Sequence, residues 1–380
     1  MSERFDIAIL GKRNLTSALR AANYNKLVSA GVTVLDGVGA FTSATDIVVT
    51  AGDGTKQTIT AEKFIINTGA EPVMPKIPGL ENNPYIYVSE SLLDLDVLPE
   101  RLTIIGGGYI GLEFASMYAN FGSKVTILQI EDAFLPREDT DIADNIESVL
   151  ATKGVPVIKG VTFQEVKGNT VMYTQGGATH ELAGDAILVA TGRKPNTKSL
   201  DCDKAGVALT DRGAVITDEH LRTSVPNIWA AGDVCGKLQF TYISLDDSRI
   251  ILDDMNGAGE RTSENRGAFA YSVFMDPPFA RVGLNEKEAT KQGLKYRVVK
   301  MDTNAIPKAK VSKKTEGMLK ALIEEGTGKV LGVQLFCVES HEIINMMKLA
   351  IDQGVDYTVL RDFIYTHPTI AEGLNDLFAL

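Results

Sequence analysis

Three groups of residues have types and spacings that could do chemistry. The first lies in Leu102-Thr103-Ile104-Ile105-Gly106-Gly107-Gly108-Tyr109-Ile110-Gly111-Leu112-Glu113, a short apolar strand running into Gly106-x-Gly108-x-x-Gly111. Gly106 permits a tight turn, Gly108 lets the backbone approach a pyrophosphate, and Gly111 lets the next helix pack close to the strand. The free N–H groups of that helix start, with its dipole, then hold phosphate charge. A bare glycine triplet would be a weak signal. Here a helical pattern follows through Phe121, then Gly122, then a second apolar strand, Lys124 to Leu128, which is the order a dinucleotide-binding unit requires.

The second group is Asn227-Ile228-Trp229-Ala230-Ala231-Gly232-Asp233, a strand closed by Gly-Asp. Asp233 either accepts a hydrogen bond from a sugar hydroxyl at the sheet edge or is an ordinary turn residue. The third is Tyr365-Thr366-His367-Pro368-Thr369-Ile370-Ala371-Glu372. A carboxylate from Glu372 on one imidazole nitrogen of His367 would fix the tautomer and raise the basicity of the other, an acid/base arrangement. By itself the segment reads as a surface loop holding a histidine. Cys337, His341, Met346 and Met347 contain metal-ligand types, but Cys337 falls on an expected strand and His341 at an expected helix start. Core packing is therefore expected there, and no metal site is assigned.

The elements that must position these groups divide the chain. Residues 14–30 read as a helix, with Leu15, Ala18, Leu19, Ala22 and Leu27 on one face. Short β-like runs follow at Val32–Leu35, Asp46–Val49 and Lys63–Ile66, closed by Asn67-Thr68-Gly69-Ala70-Glu71-Pro72. A loop with Pro72, Pro75, Pro78 and Pro84 reads as a domain crossover. The glycine motif opens a βαβ-rich domain that ends at strand Ala186–Ala190 and the turn holding Gly192. From about residue 268 the pattern changes to strands at Tyr271–Phe274, Tyr296–Met301, Gly317–Ile323 and Val330–Cys337, with helices at Glu286–Gln292 and Glu342–Gln353. The expected domains are 1–99, 100–197, 198–266 and 267–380.

Composition bounds the function. The chain has 380 residues, 44% hydrophobic and 23% charged, the balance of an ordinary globular protein. A net charge of −11 argues against nucleic acid or an anionic membrane as partner. No run approaches the length of a membrane span, and the start, Met-Ser-Glu-Arg-Phe-Asp, does not resemble a secretory signal. Cys202, Cys235 and Cys337 are too far apart for a disulfide framework or a zinc pattern, so a cytoplasmic location is expected.

Taken together, the glycine motif, the Gly-Asp closure and the His-Pro-Thr segment resemble the flavoprotein disulfide reductases, the family of glutathione reductase, dihydrolipoyl dehydrogenase and mercuric reductase. Within it, Gly106–Glu113, Phe134-Leu135-Pro136-Arg137-Glu138-Asp139, Gln239–Asp247 and Ser340-His341-Glu342 resemble the subgroup of bacterial reactive-chlorine-resistance flavoproteins described as copper(II) reductases. The resemblance implies an α/β fold: a Rossmann-like NAD(P) domain inserted in an incomplete FAD domain, followed by an α+β dimerisation domain. It implies an FAD-dependent NAD(P)H oxidoreductase that passes hydride to the flavin and electrons on to a disulfide, a metal ion or another small acceptor. Gly106, Gly107, Gly108, Ile110 and Gly111 would hold the NAD(P) pyrophosphate. Tyr109 would gate the nicotinamide pocket, with Glu113 and Gly192 beside it. Thr68, Gly69 and Ala70 would contact FAD, Asp233 its ribityl or pyrophosphate region, and Gln239, Phe240, Thr241 and Tyr242 would approach its ring. His367 and Glu372 would be catalytic in the partner subunit's site, making a homodimer necessary.

The sequence also departs from that family. No glycine triplet precedes residue 69, and no Cys-x4-Cys pair is present. The expectation is an N-terminally truncated chain. The alternative function is a non-catalytic dimeric NAD(P)-binding module. At the coenzyme-selecting position stands the neutral Gln129. Glu131 and Asp132 would repel a 2′-phosphate while Arg137 could reach one, and the balance leans to NADH.

Overall fold

A computed structural model describes residues 2–380, which fall into two compact units. The first comprises Met74–Thr191 and Gly267–Leu380, joined by Phe5 from the chain start. The second comprises Asp6–Val73 and Gly192–Arg266.

The first unit holds a five-stranded parallel sheet in the order Ile86–Tyr87, Ala186–Val189, Arg101–Ile105, Lys124–Leu128, Val157–Ile158. Its central strands are near-continuous apolar runs because both sheet faces are covered; Ile104, Ile105, Ile127, Leu128, Ile187 and Leu188 are all fully buried. Chain order reverses on either side of Arg101–Ile105, so the crevice at that strand's carboxyl end is the topological switch point where such sheets bind ligands. The Tyr109–Phe121 helix stops at Gly122, whose left-handed backbone (φ 105°) returns its N–H to the Ala119 and Tyr118 carbonyls. A meander, Thr162–Lys167, Thr170–Gln175 and Ala178–Ala183, precedes the last parallel strand. Phe5 seats edge-on against Phe121, with ring centroids 5.4 Å apart.

The same unit contains a five-stranded antiparallel sheet in the order Ala270–Val273, Phe279–Gly283, Val330–Phe336, Met318–Glu324, Tyr296–Asp302. Ile343, Ile344 and Met347 of the Ser340–Asp352 helix share its core with Leu319, Val333 and Leu335. The C-terminal Gly373–Ala379 helix adds Leu374, Leu377 and Phe378. The antiparallel character of this region matches its reading from sequence.

In the second unit a meander of Val38–Phe41, Asp46–Thr50 and Lys56–Thr60 stands beside two strand pairs. Phe64–Ile66 pairs in parallel with Ile228–Ala230, and Ala70–Pro72 pairs antiparallel with Arg193–Pro195. Two readings of the early chain change. The run Val32–Leu35 is not a strand: it has β-branched residues but no partner in the ladder, and the strand begins at Val38, where Thr50 lies opposite. The helix read over 14–30 begins at Ser2 and ends at Ser29, and its Leu15, Leu19 and Leu27 are exposed rather than packed. The helical period was correctly legible; what the apolar face would bury against was not.

Candidate functional site

The glycine turn is built as its three positions require. Gly106 has φ 112°, and a Cβ there would lie 2.5 Å from the Ala190 carbonyl oxygen at the end of the neighbouring strand. A Cβ on Gly111 would lie 2.2 Å from the Gly106 oxygen, so only glycine lets the helix come this close to the turn. Gly108 differs: a Cβ there meets nothing within 4 Å. Gly108 is also the N-cap of the 13-residue Tyr109–Phe121 helix, and no side chain caps it. An uncapped helix start beside open space, at the sheet's switch point, fits a dinucleotide pyrophosphate.

Gln129, buried at the end of the second strand, ties down this turn. Its Oε1 accepts the Gly107 N–H at 2.8 Å, and its Nε2 donates to the Glu131 carboxylate. The residue read as a coenzyme selector is thus a brace that brings Glu131 toward the turn.

Tyr109 and Glu113 stand one helical turn apart. The Glu113 carboxylate accepts the Phe274 N–H at 2.9 Å, and burial pushes its pKa up. The Tyr109 phenol donates to Glu138, a carboxylate with no exposed surface. Tyr271 donates to the same oxygen at 2.6 Å, and Arg281 reaches the other at 3.3 Å while also pairing with Glu288. This cluster escaped sequence reading because Glu138, in a loop, carries no periodicity and a charged loop residue reads as solvated.

The flavin-assigned residues collect in the second unit. Thr68 Oγ1 donates to the Asn196 carbonyl at 2.7 Å, and the Asn196 N–H returns to the Gly69 carbonyl at 3.0 Å. Arg193 donates to the Ala70 carbonyl. Gly69 (φ 69°) and Gly192 (φ 117°) both border open space, with nothing within 4 Å of an added Cβ. Asp233 lies on the short Gly232–Cys235 turn; burial pushes its pKa up, and the Arg193 charge opposes that shift. Gln239 and Phe240 precede the Thr241–Met255 helix, which Phe240 caps by backbone alone, and Tyr242 is exposed. Gly192, assigned with Tyr109 and Glu113 to the nicotinamide pocket, belongs to this unit while those two belong to the other.

His367 and Glu372 do meet. The imidazole Nδ1 lies 2.7 Å from Glu372 Oε2, with His367 three-quarters exposed and Glu372 largely covered. Oε1 of Glu372 is buried without a hydrogen-bond partner. With Nδ1 held by a carboxylate, Nε2 is the nitrogen left for proton exchange.

Two other groupings are structural. The carboxylates of Asp139, Asp141 and Glu286 converge closely enough to hold a cation, but the fully buried Lys320 ammonium pairs with all three, at 3.0 Å from Asp139 and 2.7 Å from Asp141. Cys337 and Met347 are fully buried in the C-terminal core, in keeping with their core-packing reading. Burial pushes the Cys337 and Cys235 thiols up to about 12 and raises that of Cys202. Burial thus favours the thiol form of all three over the thiolate.

Comparison with known proteins identifies the family. Residues 5–248 match the family described as pyridine nucleotide-disulphide oxidoreductase, and residues 269–378 match its dimerisation domain. The probable pyridine nucleotide-disulfide oxidoreductase RclA of Escherichia coli K12 is 46% identical over 98% of this chain and 85% of its own length. A mercuric reductase of Staphylococcus aureus is 34% identical over 96% of this chain and 66% of its own length. The solved Cu(II) complex of the HOCl-induced flavoprotein disulfide reductase RclA from Escherichia coli superposes with a TM-score of 0.94 at 46% identity, covering 99% of this chain and 85% of that one. LpdA from Mycobacterium tuberculosis superposes at 0.87 with 27% identity, covering 100% of this chain and 83% of its own. The chain belongs to the pyridine nucleotide-disulfide oxidoreductase family and is an FAD- and NAD(P)H-dependent oxidoreductase of that type, with a Rossmann-type nucleotide domain and a separate dimerisation domain.

Proposed function

We propose that the Gly106–Gly111 turn holds the pyrophosphate of NADH, that Thr68–Ala70, Asp233 and Gln239–Tyr242 serve FAD, and that His367 with Glu372 moves protons for the acceptor. The carrying observation is the open face at Gly108 beside an uncapped helix start, flanked by two glycines that admit no Cβ. FAD, when bound, supplies the hydride acceptor and an outlet for one or two electrons. The chain's side chains do the remaining work. Glu113, shifted toward its neutral form, stands one turn along the same helix as a hydrogen-bonding group for the nicotinamide end. Glu131, braced by Gln129 beside the turn, is placed to accept from a ribose 2′-hydroxyl and to repel a 2′-phosphate, which favours NADH over NADPH.

The final acceptor receives its electrons without a thiol from Cys202, Cys235 or Cys337, since all three are buried and burial favours their protonated form. A small molecule or a metal ion fits that restriction, and the Escherichia coli relative has been solved as a Cu(II) complex. Homodimerisation through the C-terminal unit is supported by the exposed Leu349, Val359, Phe363 and Ile364. His367, so exposed, would then serve the partner's site. Among the described residues no helix is long and apolar enough to cross a membrane, and the three free cysteines suit a reducing cytoplasm.

The visible spectrum of the purified chain tests the reading. Flavin absorbance near roughly 450 nm, bleached faster by NADH than by NADPH, is the expected result. A colourless protein that still binds NADH would favour the nucleotide-binding module instead, and faster bleaching by NADPH would overturn the role of Glu131.

A further inference from the structure

We propose that Asp247 is a positioning residue for the flavin: its carboxylate fixes the Gly232–Asp233 turn and so sets where Asp233 is presented. This inference rests on the reading of Asp233 as a flavin contact.

The Thr241–Met255 helix buries Ile243, Asp247, Ile250, Ile251 and Asp254. That spacing is one helical face turned to the core, where position 247 calls for an aliphatic side chain. A carboxylate stands there instead, 4% exposed. Its Oδ2 accepts the Gly232 N–H at 2.8 Å, and its Oδ1 accepts from the Arg266 guanidinium at 2.7 Å. Gly232 opens the short turn that carries Asp233, so its N–H belongs to the unsatisfied start of that turn. Ser244, one helical turn before Asp247 on the same face, abuts the same glycine: a Cβ on Gly232 would lie 2.8 Å from Ser244 Oγ. That Oγ also accepts from Asn67 Nδ2 at 3.2 Å, next to the Thr68–Ala70 turn. One helix face therefore touches both flavin-assigned turns, and Gln239–Tyr242 lead into its first residues.

Stability alone does not call for a charge here. A buried ion pair contributes little over well-packed apolar side chains of similar volume. The hydrogen-bond geometry does call for it. Two donors converge on this side chain, and each needs its own oxygen. An asparagine offers one oxygen and two N–H groups, so it would serve one donor and confront the other with a second donor. A carboxylate serves both. Asp247 thus ties the turn to the helix and to Arg266, and Asp233 is the very next residue along that turn.

The test is FAD binding to the full chain after flavin removal, followed by quenching of FAD fluorescence. NADH binding is the control, and circular dichroism checks folding. Asp247→Asn should raise the FAD dissociation constant about tenfold, the loss of roughly one hydrogen bond. Adding Arg266→Gln supplies an acceptor oxygen for the new amide and should return affinity to within about threefold of wild type. In an Asp233→Asn background, Asp247→Asn should cost less than about twofold more, because no carboxylate is left to place. NADH affinity should stay within about twofold throughout. A merely structural carboxylate would weaken FAD by the same factor with or without Asp233. If Asp247→Asn does not fold, Asp247→Glu decides: it keeps both oxygens, displaces them by one methylene, and should show the same dependence on Asp233. Wild-type FAD affinity in the Asp247 variants, or an equal loss in the Asp233→Asn background, would overturn the positioning role while leaving Asp233 as a flavin contact. Wild-type affinity in Asp233→Asn itself would overturn the flavin reading of that residue and this inference with it, as would a wild-type chain that binds no FAD.

Discussion

Both units carry parallel strands of the same apolar composition, yet they are covered very differently. In the first unit, Ile104, Ile127 and Ile187 sit in a five-stranded sheet and have no exposed surface. In the second, Phe64–Ile66 and Ile228–Ala230 form a sheet of two strands; Ile66 and Ile228 are buried, but Ile65 between them in the ladder is 51% exposed. The Ser2–Ser29 helix adds exposed Ile7, Leu10, Leu15 and Leu19 to the same unit. A dinucleotide turn needs a rigid strand, a rigid helix and almost nothing else, and the first unit supplies both. The flavin-assigned residues instead occupy turns and helix ends joined by a few hydrogen bonds, such as that from the Thr68 hydroxyl to the Asn196 carbonyl. Local stability follows buried apolar contact. The nicotinamide half is therefore expected to be preformed, and the proposed flavin half to gain order when its ligand binds.

Substitutions can break or sharpen this contrast. Gly111→Val should act most strongly, because its Cβ would stand 2.2 Å from the Gly106 oxygen and the helix must retreat from the turn. Calorimetric titration should show NADH affinity reduced more than about hundredfold, corresponding to a loss of roughly 3 kcal/mol. Next comes a matched pair of core tests. Ile104→Ala should cost about 2–5 kcal/mol in denaturant unfolding. Ile65→Ala, at a half-exposed site, should stay within about 0.5 kcal/mol. Equal costs would erase the distinction between the units.

His367→Gln acts on turnover instead of fold. Losing a general acid/base should lower kcat for a proton-requiring acceptor about a hundredfold, with NADH affinity unchanged. The smallest effect belongs to Glu113. Burial raises its pKa in the folded state, so its contribution to stability is fully present below the usual carboxylate pKa and is lost as pH rises through the raised value. Glu113→Gln should flatten that part of the pH–stability curve. A curve superimposable on wild type would show that Glu113 is not shifted.

The contrast also marks what was legible in the sequence. The coenzyme turn was readable because its glycines are imposed by local backbone geometry, and that geometry leaves a fixed spacing. The C-terminal sheet was readable because alternation and turn residues mark each antiparallel strand. His367 and Glu372 are five residues apart, and their contact follows from the intervening turn. Tertiary burial was less visible. Nothing in the pattern separates Val32–Leu35, which lacks a partner, from Val38–Phe41, which has one. Glu138, Arg281 and Lys320 are charged residues that a pattern assigns to solvent; only the folded chain brings their partners from positions far apart in sequence. Gln129 occupied the expected place at the end of its strand, but its use as a brace between Gly107 and Glu131 depends on a side-chain direction the sequence does not carry.

Hydrogen–deuterium exchange on the purified chain, with FAD bound and after its removal, tests the contrast most directly. Amides of Arg101–Ile105, Lys124–Leu128 and Ala186–Val189 should be strongly protected in both states. Those of Phe64–Ile66, Ile228–Ala230 and the Thr241–Met255 helix should exchange rapidly without FAD and slow markedly with it. Equal protection of both sets in the FAD-free chain would contradict a preformed nicotinamide half beside a ligand-ordered flavin half.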